Sequence, residues 1–187
     1  MNESDLISGL RTKNQAAINY FVNSHQQFVF VLCVKMLNNR ELAEELTQDV
    51  LIKCIEKIDL FEGKSKLKTW VYKITHNEIL NQLRKNKLNI TELDDSMVNY
   101  NEDNSLSDKL NQNDIKHVID THFNKLPDDQ KELLTLFYLE ELSLKEIEEV
   151  TGMSPGNIRV KLYRARDNFR AFLNKNDVNL LNDLRYG

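Results

Sequence analysis

The chain has 187 residues, is 41% hydrophobic and 29% charged, and carries 5 Gly, 2 Pro, 2 Cys and a formal net charge of −4. These proportions are ordinary for a soluble globular protein and exclude collagen-like, low-complexity and disulfide-scaffold classes, while no apolar run approaches the ~18–20 residues needed to span a bilayer. The length suits one medium domain or two small ones, and the scarcity of Gly and Pro predicts a mostly helical, all-α chain.

The opening stretch, MNESDLISGLRTKN, lacks the basic-then-apolar layout of a signal peptide. Cys33 and Cys54 lie in apolar helical patterns and form no CxxC, so reduced core thiols in a cytoplasmic protein are expected. From 3 to 37, Leu6, Ile7, Leu10, Ala17, Ile18, Phe21, Val22, Phe28, Val31, Leu32 and Met36 recur at three- and four-residue steps, the mark of buried helical stripes. A long helix follows from about Arg40, with Leu42, Leu46, Val50, Cys54 and Ile58 at steps of four. EGKSK (62–66) breaks it, and a helix over 67–87 resumes with Val71, Ile74, Leu80 and Leu83 inward. Residues 89–113 are polar, acidic and aperiodic, which predicts a flexible linker between two small helical domains, 1–88 and 114–174. A tail at 175–187 carries Leu180, Leu181 and Leu184, enough for a short amphipathic helix.

Past the linker, Ile115, Val118, Ile119 and Phe123 mark a helix that stops near KLPDDQ, and Leu133, Leu134, Leu136 and Phe137 mark the next. Ser143 can cap a short helix carrying Leu144, Ile147 and Val150; Gly152 supplies a sharp turn; Ser154 followed by Pro155 opens another helix. Ile158, Leu162, Ala165, Phe169 and Phe172 then form one inward stripe. The pattern is a helix-turn-helix whose second helix is basic.

Charge is unevenly spread. Residues 64–87 hold seven basic side chains against one acid, residues 154–170 hold five against one, and 92–114 hold seven acids against one lysine. Two separated basic patches are the electrostatic footprint of a long polyanion partner. A helix in the second position of a helix-turn-helix presents its N-terminal residues to base edges while flanking cations neutralise phosphates. Ser154, Asn157, Arg159, Val160, Lys161, Arg164 and Arg166 are therefore candidates for duplex DNA contact, with Arg159, Lys161 and Arg164 suited to guanine edges or phosphates.

Two stretches resemble one family. Residues 41–85 (ELAEELTQDV through NQLRK) are similar to the second region of bacterial sigma-70 factors, and LPDDQKELLTLFYLEELSLKEIEEVTGMSPGNIRVKLYRAR (126–166) is similar to their fourth region. The short length and the direct join by a linker resemble the extracytoplasmic-function (ECF) subgroup. The resemblance implies an all-α fold of two small domains and an RNA polymerase sigma factor that performs no chemistry and needs no cofactor or metal. It implies that Glu44, Glu45, Gln48 and Asp49 form a polar, acidic face that docks on core RNA polymerase. It implies that residues 64–84 open and read the promoter −10 element. Lys64, Lys66 and Lys68 would supply cations on a loop, and Lys73, His76, Asn77, Asn81 and Arg84 would face the strand. Trp70 and Tyr72 offer stacking surfaces for unstacked bases, although a large aromatic at a helix start also packs well as core. Residues 154–166 would read the −35 element.

The partners implied are core polymerase, promoter DNA and, as is common in the subgroup, an anti-sigma factor, with a free monomer and no membrane insertion. Three positions depart from the family pattern. Glu148 stands where a small residue usually packs, Asn81 where an acid is common, and Val160 where a polar residue is frequent, which suits contact with a thymine methyl. Other readings stay open. A stand-alone helix-turn-helix regulator would leave the basic 64–87 segment unexplained, and a pure protein-interaction scaffold would leave the second helix unexplained. An enzyme finds no support, since His25, His76, His117 and His122 form no HExxH pair and EGKS lacks the first Gly of a P-loop.

Overall fold

In chain order, the helices begin where the sequence places caps. The computed structural model describes residues 1–92 and 119–176, with side chains described for 1–86 and 119–172. The linker residues 93–113, Ile115, Val118 and the tail from 177 onward lie outside these described residues.

Helix α1 (Glu3–Arg11) starts at Asn2, whose side chain accepts from the Asp5 N–H at 2.8 Å. Helix α2 (Gln15–Leu37) starts at Asn14, which accepts from Ala16 and Ala17, and ends at Asn38 in the left-handed region. Helix α3 (Arg40–Glu56) starts at Asn39, which accepts from Leu42 at 3.0 Å. Each cap satisfies N–H groups that a helix start would otherwise leave unpaired, a contribution of about 1 kcal/mol apiece. Gly9 lets α1 approach α2: a Cβ there would sit 2.6 Å from the Ala17 Cβ. A single 3₁₀ turn (Ile58–Leu60) leads to α4 (Leu67–Glu92). The helix expected over 67–87 thus runs on to Glu92, and the first residues assigned to the linker, 89–92, are helical. Phe21, Leu32, Leu67, Tyr72 and Ile79 are fully buried between these helices.

The second half begins with α5, helical over 119–124 in its described part, and continues with α6 (Asp128–Leu134). Instead of the uniform helix expected through Phe137, the backbone widens into a π-helical turn, Thr135–Leu139, in which the Glu140 N–H donates to the Thr135 carbonyl at 3.0 Å. An i→i+5 bond accommodates one extra residue per turn. Helix α7 (Leu144–Thr151) carries a complete capping box between Ser143 and Glu146. Gly152, at φ 73°, closes it in a left-handed turn that favours glycine. Helix α8 (Pro155–Asn176) opens with proline at its first position. Ile158, Leu162 and Ala165 are buried on α8, which packs on α6 and α7, and Phe169 and Phe172 are half-buried at the end of the same stripe.

The two halves touch. Helix α4 packs on α7 and α2 packs on α6. Lys35 Nζ reaches Asp120 Oδ1 at 2.5 Å and Asn124 donates to Asn38 at 3.0 Å across this boundary.

Candidate nucleic-acid interface

Helix α8 presents its polar side outward because its apolar stripe is consumed by α6 and α7. Ser154, Asn157, Arg159, Arg164 and Arg166 are exposed, as is Val160 at 49%. Ser154 is the cap, with its hydroxyl 3.4 Å from the Asn157 N–H. Lys161 is half-buried and ion-paired with Asp129 of α6, and Arg166 donates to the Tyr138 hydroxyl at 3.3 Å. Arg159 and Arg164 are therefore the cations that point most freely into solvent. Glu148 is half-buried on α7, and the turn at Gly152 forms with it in place.

Helix α4 divides its candidates between two faces. Lys73, Asn77, Asn81 and Arg84 are exposed and spaced as one helical stripe, in line with Trp70 one turn earlier. Trp70 is half-buried, edge-on to Phe61 with ring centroids 5.6 Å apart. It lines an open cleft of ≈ 410 Å³ together with Leu60, Glu62, Lys64, Thr69 and Lys73. Leu60 is 67% exposed at its rim. A half-packed indole beside an exposed leucine and two lysines offers both a π-face and phosphate-neutralising charge, the combination that single strands require. Lys64 pairs with Glu62 on the loop, which raises the lysine's proton affinity and lowers that of the carboxylate.

The other face of α4 is turned away from that stripe. Tyr72 is fully buried and so offers no stacking surface in this arrangement; its hydroxyl donates to the Glu140 carboxylate. Burial, and then the bond to Glu140, push the phenol's pKa upward. His76 is 8% exposed, with Nδ1 2.5 Å from Glu132 Oε1. Lys68 lies over the Phe28 and Tyr72 rings at 5.2 and 5.6 Å and 3.5 Å from Glu140 Oε2. Lys66 Nζ is 2.9 Å from Glu146 Oε1. The bond from Lys66, followed by those from Ser143, holds the Glu146 carboxyl down at about 2. Glu132, Glu140 and Glu146 were not singled out from sequence as partners of this face, and no local pattern marks them: they lie 56 to 80 residues from the groups they meet.

On α3, Glu44, Glu45, Gln48 and Asp49 are all exposed on one side while Leu46 is buried on the other. Arg40 bridges to Glu44 at 2.9 Å, leaving Glu45, Gln48 and Asp49 as an i, i+3, i+4 patch open to solvent. Cys33 and Cys54 are buried free thiols whose pKa values are pushed up to about 12 by burial. Among the described residues no group of His, Cys, Asp and Glu could hold a metal ion, and no helix is long and apolar enough to cross a membrane. A larger groove of ≈ 660 Å³ lies between Lys35 of α2 and the second half, where Phe123, Leu134, Tyr138, Leu139, Tyr163 and Phe169 line it together with the charged Asp120, Arg166, Asp167 and Arg170.

Comparison with known proteins follows the same division. Residues 21–88 match the family model "Sigma-70 region 2" and residues 117–168 match "Sigma-70, region 4". The chain is 30% identical over 147 residues to the ECF RNA polymerase sigma factor SigM of Bacillus subtilis, covering 79% of this chain and 89% of the relative. It is 28% identical to SigW of the same organism over 88% of this chain and 92% of that one. Among solved structures it is similar to the sigma factor RpoE of Bartonella quintana in complex with the anti-sigma factor NepR. That match has 26% identity and a TM-score of 0.67, over 83% of this chain and 95% of that chain.

Proposed function

The chain belongs to the sigma-70 family as an ECF-type RNA polymerase sigma factor, a transcription initiation factor and not an enzyme, and from that premise we propose how its surfaces divide the work. Residues 1–88 form the region that binds core polymerase and the −10 element, 89–113 a linker, 114–174 the region that binds the −35 element, and 175–187 a tail without an assigned role. Glu45, Gln48 and Asp49, flanked by Glu44, dock on basic surface of core polymerase. Arg159 and Arg164, with Ser154, Asn157, Val160, Lys161 and Arg166 around them, read the −35 duplex. Lys64, Lys73, Asn77, Asn81 and Arg84 track the opened −10 strand, and Trp70 with its cleft receives an unstacked base. Lys66, Lys68 and His76 join them when α4 is uncovered.

The observation that carries this reading is the pair of exposed cationic faces on separate helical units, one a capped helix-turn-helix and the other a helix beside an aromatic cleft. Each contact is small. Polymerase makes them effective by holding both units at promoter spacing, so that the second contact forms at high effective concentration. The free chain is then a monomer that acts in the cytoplasm, where polymerase and promoter are. An anti-sigma partner, of the kind bound to the Bartonella quintana relative, would cover the apolar groove of the second region.

Transcription from a promoter library randomised at two blocks, with core polymerase reconstituted with the protein, tests the assignment. Arg159→Ala and Arg164→Ala are expected to change only the upstream block selected, and Lys73→Ala with Asn77→Ala only the downstream block. Loss of preference at the same block from both helices would refute the division.

A further inference from the structure

Three large apolar side chains that stand open to solvent converge on one groove. Tyr138, Leu139 and Tyr163 are 49%, 55% and 59% exposed, and all three line the ≈ 660 Å³ groove between α2 and the second half. Single apolar residues are ordinary on a surface, whereas a contiguous group marks a docking site. The first two belong to the π turn, Thr135–Leu139, and the third to α8, so two elements bring apolar side chains to the same space. The rim is charged. Lys35 and Asp120 neutralise each other at 2.5 Å, which leaves Arg166 and Arg170 against Asp167 and makes the rim net positive. The groove therefore fits a short amphipathic segment with an apolar edge and an acidic excess.

Such a segment follows α8 directly. Helix α8 forms one wall of the groove and runs to Asn176, and residues 177–187 (DVNLLNDLRYG) come next, outside the described residues. In their sequence Leu180, Leu181 and Leu184 fall at i, i+1 and i+4, one edge of a helical turn. Asp177 and Asp183 outnumber Arg185. Asn176, Asp177 and Asn179 precede the leucines, and these residue types favour a reversal of the chain. Distance permits the return. Tyr163 lies 13 residues before the end of α8, about 20 Å back along its axis. The eleven residues from 177 to 187 can span about 36 Å when extended.

We propose that residues 177–187 turn back along α8 and occupy this groove in the same chain, with Leu180, Leu181 and Leu184 on Tyr138, Leu139 and Tyr163 and the acidic side chains toward Arg166 and Arg170. The tail then has a role: it covers apolar surface that would otherwise invite self-association. Its tether keeps it at high effective concentration, so even a weak contact competes. Any partner that uses the groove, an anti-sigma factor included, must displace it, and that partner's apparent affinity falls with the fraction of chains whose groove is open. The proposal is independent of how α4 and α8 divide the promoter.

The test uses the full chain and a short bismaleimide crosslinker. Cys33 and Cys54 are buried with pKa values pushed up to about 12, so only added thiols react. Leu139→Cys/Leu181→Cys should crosslink within one chain. Ile52→Cys/Leu181→Cys should not, because Ile52 is exposed on α3, which lines no part of the groove. Adding Leu180→Asp and Leu184→Asp to the first pair should cut its yield severalfold, whereas a tail that met the groove only by chance would crosslink as before. In the otherwise unaltered chain, Leu180→Asp/Leu184→Asp should raise binding of the apolar-surface dye ANS severalfold. Asn179→Asp/Asn182→Asp, an equal charge change that spares the leucines, should leave dye binding at the wild-type level. Failure of the first pair to crosslink, an undiminished yield with the aspartate substitutions, or dye binding that Leu180→Asp/Leu184→Asp leaves unchanged overturns the proposal. Crosslinked dimers from the first pair overturn it too, because they assign the groove to a second copy of the chain.

Discussion

Replacing Gly152 by alanine isolates the turn that aims the DNA-facing helix. Gly152 sits at φ 73°, and a Cβ built on it would meet nothing within 4 Å. The cost is therefore conformational and not steric: an L-residue in the left-handed region loses about 1–2 kcal/mol. Gly156, the second residue of α8, is an internal control. A Cβ there also meets nothing, but its backbone is helical, so alanine should gain about 0.5–1 kcal/mol by restricting the unfolded chain. The two substitutions add the same methyl group four residues apart and should move stability in opposite directions. Thermal and urea denaturation of the full chain read this, with about 2–4 °C expected per kcal/mol for a protein of this size. Binding of a −35 duplex should weaken for Gly152→Ala, because relief of the strained turn re-angles α8 against α7. If Gly152→Ala is as stable as wild type, or Gly156→Ala loses as much, the left-handed turn is not what fixes the helix-turn-helix.

Other outcomes follow from the same geometry. The Cys33 and Cys54 thiols, with pKa values raised to about 12 by burial, should not react with a thiol reagent at pH 8 until the protein is unfolded in denaturant. Because their folded pKa values lie above the ordinary 9.0, they also add stability that is complete below pH 9 and declines as pH rises toward 12. Glu146 behaves in the opposite sense. Its carboxyl is held at about 2 against an ordinary 4.5, so its stabilisation is present above pH 4.5 and is lost as pH falls toward 2, and Glu146→Gln should flatten that part of an acid-denaturation curve. Arg164→Ala should weaken duplex binding and relax the preference at one base position, as a guanine-edge contact requires; an even loss across all sequences, with the slope of log affinity against log salt lowered by about one, would assign it to a phosphate and contradict the base-reading role.

Much of the fold is legible in the sequence because its signals are local. Ile158, Leu162 and Ala165 are buried as their spacing requires, and Ser143, Gly152 and Pro155 begin and end helices as their chemistry dictates. The division into two helical units follows from composition. What spacing could not reveal is which face of α4 meets the other unit. Tyr72 and His76 look like nucleic-acid contacts when only the neighbouring lysines are considered, yet both are buried and bonded to Glu140 and Glu132, which lie 68 and 56 residues away. The π turn is equally hidden, since Leu133, Leu134, Leu136 and Phe137 fit an ordinary helix and the fifth-residue bond depends on where the chain must go next.

The sigma-factor reading stands or falls on whether the chain joins polymerase. Purified protein should co-elute with bacterial core RNA polymerase on size exclusion, and Glu45→Ala/Gln48→Ala/Asp49→Ala, which removes only exposed side chains of α3, should elute separately while remaining folded. If the wild type fails to associate with core enzyme and instead binds duplex DNA tightly by itself, the chain acts as a stand-alone regulator and the proposed division of its surfaces is wrong.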